Sequence, residues 1–172
     1  MKIYLYILLL LPIVSFGHPH TFLDVHMNIK AQHNIIKTIQ FKWVFDDMTS
    51  QLLVMEFDQN GNGKIDPNEI AYIKDNYFDY LKQFSYYTDV KISNKSQEIK
   101  PYNFKSYIQD MKIVYQFELT FNCNKKDLKI EVYDEDMFTA LMLKDKFVTS
   151  NIKFKISDVD NDIYFGYKLE FQ

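Results

Sequence analysis

The sequence predicts an α+β protein, a largely antiparallel β-sheet or sandwich with a helix-loop-helix inserted after its first hairpin. Three observations carry that prediction. Apolar and polar residues alternate through two consecutive segments near the N-terminus, the signature of half-buried strands. The period then becomes helical on both sides of a Gly-containing acidic loop. Beyond Ser85, short runs rich in β-branched and aromatic residues recur between polar turns.

Length and composition fit one domain. The chain has 172 residues, 47% hydrophobic and 17% aromatic, with 13 Tyr and 15 Phe, enough to bury a core without staples. A net charge of −3 gives no reason to expect nucleic-acid binding, which normally needs a basic face. All 20 basic residues are Lys, so the bidentate arginine clamp for phosphates and carboxylates is missing. Cys123 is the only cysteine. An internal disulfide, a thiolate zinc cluster and a Cys-x-x-Cys redox pair are therefore excluded, and Cys123 is expected as a buried strand thiol.

The N-terminal segment predicts export. Lys2 precedes an apolar run from Ile3 to Phe16, and Ser15 and Gly17 occupy the −3 and −1 positions of a small-residue cleavage site. Residues 1–17 are read as a signal peptide and 18–172 as a single α+β domain. No later stretch reaches the ~20 apolar residues of a membrane span.

The elements follow in order. Between His18 and Ile29, apolar Leu23, Val25, Met27 and Ile29 alternate with His20, Asp24, His26 and Asn28, a strand. His33–Asn34 reads as a turn, and residues 35–45 as a second strand with Ile39, Phe41, Trp43 and Phe45 on one face. Met48, Leu52, Met55 and Phe57 fit a short helix, with Asp47 or Thr49 as its N-cap. A second helix starts at Pro67 and runs to about Phe84 through Ile70, Ile73, Tyr77, Tyr80 and Leu81. Strands are predicted at 87–93, 112–121, 128–133, 152–156 and 163–171, with polar turns at 94–98 and 122–126. Residues 136–143 read as a short helix or an irregular crossing. Asp158-x-Asp160-x-Asp162 lacks the glycine and closing glutamate of a calcium loop and reads as a solvated turn.

Asp58 to Glu69 matches the twelve-position EF-hand loop throughout. Asp58, Asn60 and Asn62 supply side-chain oxygens at positions 1, 3 and 5. Gly63 makes the sharp turn, Lys64 offers its backbone carbonyl, Asp66 stands at position 9, and Glu69 closes the site as a bidentate ligand. The insert, about 47–84, is thus EF-hand-like, and Ca²⁺ is the expected ion. Two asparagines leave three carboxylates, which predicts a weak site with a structural role. A loop that keeps the turn and binds no ion is the plain alternative.

All four histidines fall between residues 18 and 33. Cleavage after Gly17 would free the α-amine of His18 beside its own imidazole, so His18 and His20 form the realistic metal-binding pair. Pro19 has no N–H to lose, which blocks square-planar capture through that amide. Imidazoles and an amine suit Ni²⁺, Co²⁺, Zn²⁺ or Cu²⁺ without choosing sharply among them. Asp24 and His26 share the polar strand face and are weaker candidates, since His20 and Asp24 lie roughly 13 Å apart along a regular strand. The plain alternative is a solvated polar arm.

His18-Pro19-His20-x-Phe22-x-Asp24, Trp43-x-Phe45-Asp46, the acidic loop and Val132-Tyr133-Asp134 occur in this order. The set resembles an uncharacterised family of periplasmic proteins catalogued as domain of unknown function 1007, over nearly the whole chain beyond the leader. The resemblance implies a periplasmic component of transition-metal transport, because members commonly occur alongside inner-membrane nickel/cobalt permeases of the NicO type. It carries motif positions onto His18, His20, Asp24, Asp46 and Asp134. Many relatives have more acidic loops than the Asn60 and Asn62 version here.

The leading expectation is a non-enzymatic metal-binding accessory protein that presents Ni²⁺, Co²⁺, Zn²⁺ or Cu²⁺ to an inner-membrane permease. A calcium-stabilised adhesion or assembly module is the second class. A histidine-brace copper enzyme is the third. Such sites take their second histidine from a distant strand, whereas the other histidines here lie within fifteen residues of His18.

Overall fold

Strand alternation puts one face of each N-terminal strand into the core. In the computed structural model, which describes residues 21–160 and 163–172, β1 (Thr21–Gln32) buries Leu23, Val25, Met27 and Ile29. Its antiparallel partner β2 (Ile35–Phe45) buries Ile36, Ile39, Phe41, Trp43 and Phe45, with Trp43 opposite Val25. His33 (φ 51°) and Asn34 (φ 63°) form the connecting turn. Two consecutive left-handed residues give a turn whose twist matches the strands it joins. Ser93–Asn94 and Asp110–Met111 repeat the device, in each case without glycine.

The remaining elements are α1 (Asp47–Phe57), α2 (Pro67–Ile73), β3 (Thr88–Ile92), β4 (Lys95–Gln97), β5 (Tyr102–Gln109) and β6 (Lys112–Asn124). They continue with β7 (Leu128–Tyr133), β8 (Thr139–Met142), β9 (Val148–Ser150), β10 (Phe154–Asp160) and β11 (Phe165–Phe171). One sheet has the order β5-β6-β2-β1-β8, with β9 also on β1. The other has the order β10-β11-β7-β3-β4. Pairing among the described strands is antiparallel except along β1, where β8 and β9 lie parallel one after the other. Both sheets feed one apolar core, with Phe41, Trp43 and Phe117 from the first and Val90, Ile130 and Leu169 from the second. The class is the expected mostly antiparallel α+β sandwich.

The helical insert departs from its sequence reading. Helix α1 buries Ser50 and Phe57 and half-buries Leu53 and Val54, while Met48, Leu52 and Met55 face outward. Residues 50, 53, 54 and 57 are themselves an i, i+3, i+4, i+7 face. A serine at its head hides it from an apolar-spacing search. The N-cap is Asp46, whose Oδ1 accepts from the Thr49 N–H, rather than Asp47 or Thr49. The second helix is α-helical only to Ile73. A π turn follows at Lys74–Phe78 and a 3₁₀ segment at Asp79–Tyr87. The wider turn puts Ile73 and Phe78, five residues apart, both into the core. Tyr80 is left exposed.

Elsewhere the strand map is fuller than expected. Lys95–Gln97 is a strand inside the predicted turn 94–98, and β6 runs on to Asn124 before a 3₁₀ turn at Lys125–Asp127. Residues 139–142 form β8 instead of a helix or irregular crossing. Asp134 Oδ2 accepts from the Thr139 N–H (2.8 Å) and fixes the start of that strand. β5 escapes alternation because the register shifts between Tyr102 and Lys105, where Asn103 is left-handed. Asp158 and Asp160 lie in β10, not in a turn. Asp162 lies outside the described residues. Cys123 is buried, and burial, then Asp127, pushes its thiol pKa up, as an inert strand thiol requires.

Candidate functional site

The Asp58–Glu69 loop joins the end of α1 to the start of α2. Asp58 is the C-cap of α1, and Asp66 precedes Pro67 as the N-cap of α2. Asp58 Oδ1 accepts from the Asn62 N–H (3.0 Å) and Oδ2 from the Gly63 N–H (2.7 Å). Gly61 (φ 69°) and Gly63 (φ 77°) take the left-handed backbone that this winding needs. The Asn60 and Asn62 side-chain amides both reach Asp66 Oδ2, at 2.9 and 2.8 Å. Positions 3, 5 and 9 of the loop therefore converge. Turning either amide over would exchange its nitrogen for an oxygen at the same place.

Glu69 closes the loop from the other side. Its carboxylate is buried, with Oε1 accepting from the Gln59 N–H (2.9 Å) and Oε2 from the Asp66 N–H (2.8 Å). It thus ties both ends of the loop together, and its bond to Asp66 is the reach-back half of a capping box. Lys64 and Ile65 sit at positions 7 and 8, with Lys64 exposed and Ile65 packed on the core. All six predicted calcium ligands are brought into one loop. Yet among the described residues no three His, Cys, Asp or Glu side chains converge closely enough to hold a metal. The carboxylates of Asp58 and Glu69 instead accept backbone N–H groups, and the points of convergence carry asparagine.

A second contact joins the two helical segments, and sequence reasoning missed it. Glu56 Oε1 accepts from both the Tyr72 and the Tyr77 hydroxyls, each at 3.0 Å. The Tyr77 ring packs 4.8 Å from Phe57. The bond to Tyr72, then burial and Glu56, raises the Tyr77 pKa, so it stays a neutral donor. Without the π turn in view, no spacing points Tyr77 at Glu56.

His18 and His20 lie outside the described residues. Asp24 and His26 are half-buried on the outer face of β1. The His26 ring lies 4.3 Å from Phe147. Burial lowers its pKa, helped by Lys42 and Lys146 and opposed by Asp24. The imidazole is therefore neutral near pH 7, and the same two ammonium groups disfavour further positive charge beside it. Asp24 and His26 gain no third ligand among the described residues.

The other motif aspartates serve the scaffold. Asp46 Oδ2 accepts from the Phe22 N–H (2.9 Å) and the Thr49 hydroxyl (2.7 Å), which locks the start of β1 to the head of α1. Burial raises its pKa, but the Thr49 and Phe22 N–H bonds outweigh that and leave it lowered. Buried Asp134 accepts from the Asp136 and Thr139 N–H groups.

Two packed sheets with a helix-loop-helix inserted after the first hairpin, and an acidic loop wound on its own amides, define a small α+β sandwich protein. The chain belongs to the family described as "Protein of unknown function (DUF1007)", whose model matches residues 3–158. It is similar to an "Uncharacterized 15.5 kDa protein in trpE 3'region" of Spirochaeta aurantia. The two are 33% identical over 94 residues, which is 52% of this chain and 67% of that protein. It is also similar to an "Uncharacterized protein" of Haemophilus influenzae, 22% identical over 154 residues, covering 82% of this chain and 71% of the relative.

Proposed function

We propose that this chain is an exported, non-enzymatic metal-binding accessory protein with two separate metal sites. The Asp58–Glu69 loop holds a structural Ca²⁺, and the mature terminus at His18 and His20 takes up Ni²⁺, Co²⁺, Zn²⁺ or Cu²⁺. The observation that supports the reading is the convergence of positions 3, 5 and 9, where the Asn60 and Asn62 side chains both meet Asp66 Oδ2, in a loop whose two ends Glu69 joins. Asp58, Asn60, Asn62, Asp66 and Glu69 offer side-chain oxygens, and Lys64 its carbonyl. Bound there, calcium would supply positive charge to offset the repulsion among three carboxylates. The chain's own residues do the rest, with Asp58 fastening the end of α1 and Glu69 the start of α2.

Delivery of the transition metal to an inner-membrane permease rests only on what the family resemblance implies, a place beside NicO-type permeases. An open terminus of imidazoles and an amine suits hand-over better than a closed cage. The test is elemental analysis of the protein from the periplasm beside His18→Ala/His20→Ala. Near-stoichiometric Ni, Co, Zn or Cu that disappears in the variant while calcium stays is the expected result. Calcium alone in both samples, with no transition metal taken up on titration, would overturn the carrier half.

A second reading, a calcium-stabilised assembly module, is favoured by one observation. Met48, Leu52 and Met55 form an apolar stripe on the outer face of α1, a surface suited to a partner.

A further inference from the structure

Asparagine followed by glycine is the pair most prone to spontaneous deamidation, and the acidic loop holds two in a row. Asn60-Gly61 and Asn62-Gly63 are the only Asn-Gly pairs in the chain. In this reaction the glycine backbone nitrogen attacks the side-chain carbonyl carbon of the asparagine and closes an imide ring. The Nδ2 group leaves as ammonia with the proton of that nitrogen, and water then reopens the imide to aspartate or isoaspartate. Glycine has no Cβ to obstruct the closure, and asparagine counts among the thermolabile residues. All four loop residues are exposed. A Cβ built on Gly61 or Gly63 would meet nothing within 4 Å, so neither pair is protected by crowding.

Hydrogen bonding treats the two pairs differently. The Gly63 N–H donates to the Asp58 carboxylate, with Oδ2 at 2.7 Å, a charge-assisted bond. The Gly61 N–H donates to the Asp58 backbone carbonyl at 3.2 Å, a neutral bond at the long end of the range. The side-chain oxygens repeat that ranking. Asn62 Oδ1 accepts from the Lys64 N–H at 2.8 Å. Asn60 Oδ1 accepts at 3.0 Å from the Asn62 N–H, a donor it shares with Asp58 Oδ1. Both side-chain amides bond to Asp66 Oδ2 at nearly equal lengths, 2.9 and 2.8 Å, so Asp66 does not separate them. Attack requires the peptide nitrogen and the side chain to turn toward each other, which breaks these bonds first.

We infer that Asn60 is a site of spontaneous deamidation and that Asp58 guards Asn62 from the same reaction. Conversion replaces the amide that donates to Asp66 with a carboxylate, so a hydrogen bond becomes a like-charge contact. The inference needs no ion. If the loop holds calcium as proposed, the aspartate product adds a fourth carboxylate to Asp58, Asp66 and Glu69, so the inference bears on that reading without resting on it.

The test follows conversion in the full chain, kept in chelator, by peptide mapping with fragmentation that separates Asn60 from Asn62. The same chain unfolded in urea gives the clock, because there each asparagine precedes a glycine with no guard, and the two should convert at similar rates. In the folded chain Asn60 is expected to convert about tenfold faster than Asn62, the ratio set by one net hydrogen bond. Asp58→Ala removes the guard and should bring Asn62 up to the rate of Asn60 while the circular dichroism spectrum is kept. Asp58→Asn, which keeps the shape and loses the charge, should raise the Asn62 rate in the same direction if Asp58→Ala does not fold. An Asn60 still intact in the folded chain when the unfolded chain has fully converted would overturn the inference. So would an Asn62 that converts as fast as Asn60 in the folded chain, or one that stays slow in a folded Asp58 variant.

Discussion

In the β1–β2 hairpin the alternating apolar residues are buried, whereas in α1, which follows directly, Met48, Leu52 and Met55 are 65%, 64% and 82% exposed. The two segments obey different rules. A pleat gives a strand only two faces, so alternation names the inner one as soon as one set is apolar. A helix can turn any of several stripes inward, and the choice belongs to whatever it packs against. Here that choice is made by a polar residue. Ser50 is fully buried, donates to the Phe45 carbonyl at 3.2 Å and accepts from the Ile113 N–H at 3.1 Å. It pins α1 to the end of β2 and the start of β6.

The sharpest test of the hairpin's side of this contrast is Trp43→Ala. The side chain is fully buried against Phe117, and its removal should cost about 3–5 kcal/mol in chemical denaturation followed by circular dichroism. A loss below 1 kcal/mol, on the order of a surface change, would mean that the strand face carries little of the core.

If the Asp58–Glu69 loop holds calcium as proposed, its removal separates the two regions next. With the ion at about 100 times its Kd, chelation should cost roughly 2.7 kcal/mol, or on the order of 5–10 °C in Tm. Amide exchange should rise in α1 and α2 before it rises in β1 and β2. Asp58→Ala should start at the lower Tm and ignore the chelator. Equal melting of wild type with and without chelator would show that the Glu69 bonds alone close the loop.

The difference also explains what was legible in the sequence. β1, β2, β7 and the loop's place between two helices were readable because pleat alternation and a Gly-containing turn between helical periods are local rules. The true face of α1 was not, since Ser50 heads it and the Ile113 N–H that satisfies Ser50 lies 63 residues away. The π turn was equally hidden, because Phe78 reaches the core through ring contacts with Phe104 (4.2 Å) and Phe117 (5.1 Å) from distant strands. β8 was misread because its start is fixed by the Asp134 carboxylate, and its alignment by β1. Within the candidate site, the sequence supplied the six loop positions but not the contacts that hold the carboxylates on backbone amides.

Ser50→Ala examines the helix's side of the contrast directly. It strands the buried Ile113 N–H without its acceptor and should cost about 1–3 kcal/mol, although serine carries little apolar surface. Thermal melts of the variant suffice to read it. A neutral outcome would move the anchor elsewhere in α1.

Asp46 joins the two regions, and its contribution depends on pH. Its folded-state pKa is lowered, so the unfolded chain takes up the proton first as pH falls. Its stabilisation is complete above the ordinary carboxylate range and is lost as pH drops through the lowered value. Asp46→Ala should cost about 1–2 kcal/mol at neutral pH, the usual worth of an N-cap. The gap to wild type should close in acid. A gap that stays constant through the acid range would show that the carboxylate's charge plays no part.

The smallest expected effect lies on the exposed stripe. Leu52→Gln and Met55→Gln should each change stability by no more than about 0.5 kcal/mol, since neither residue is buried. That near-neutrality is what distinguishes the stripe from the strand faces, where equally apolar residues carry the core. Three apolar side chains kept outward on one helix face add nothing to folding and invite association. If the double variant folds as well as wild type but no longer self-associates or retains a partner, the stripe is an interaction surface, as the assembly reading requires. A loss of more than about 2 kcal/mol would instead place the stripe against the sheet, and the contrast between strand and helix would fall with it.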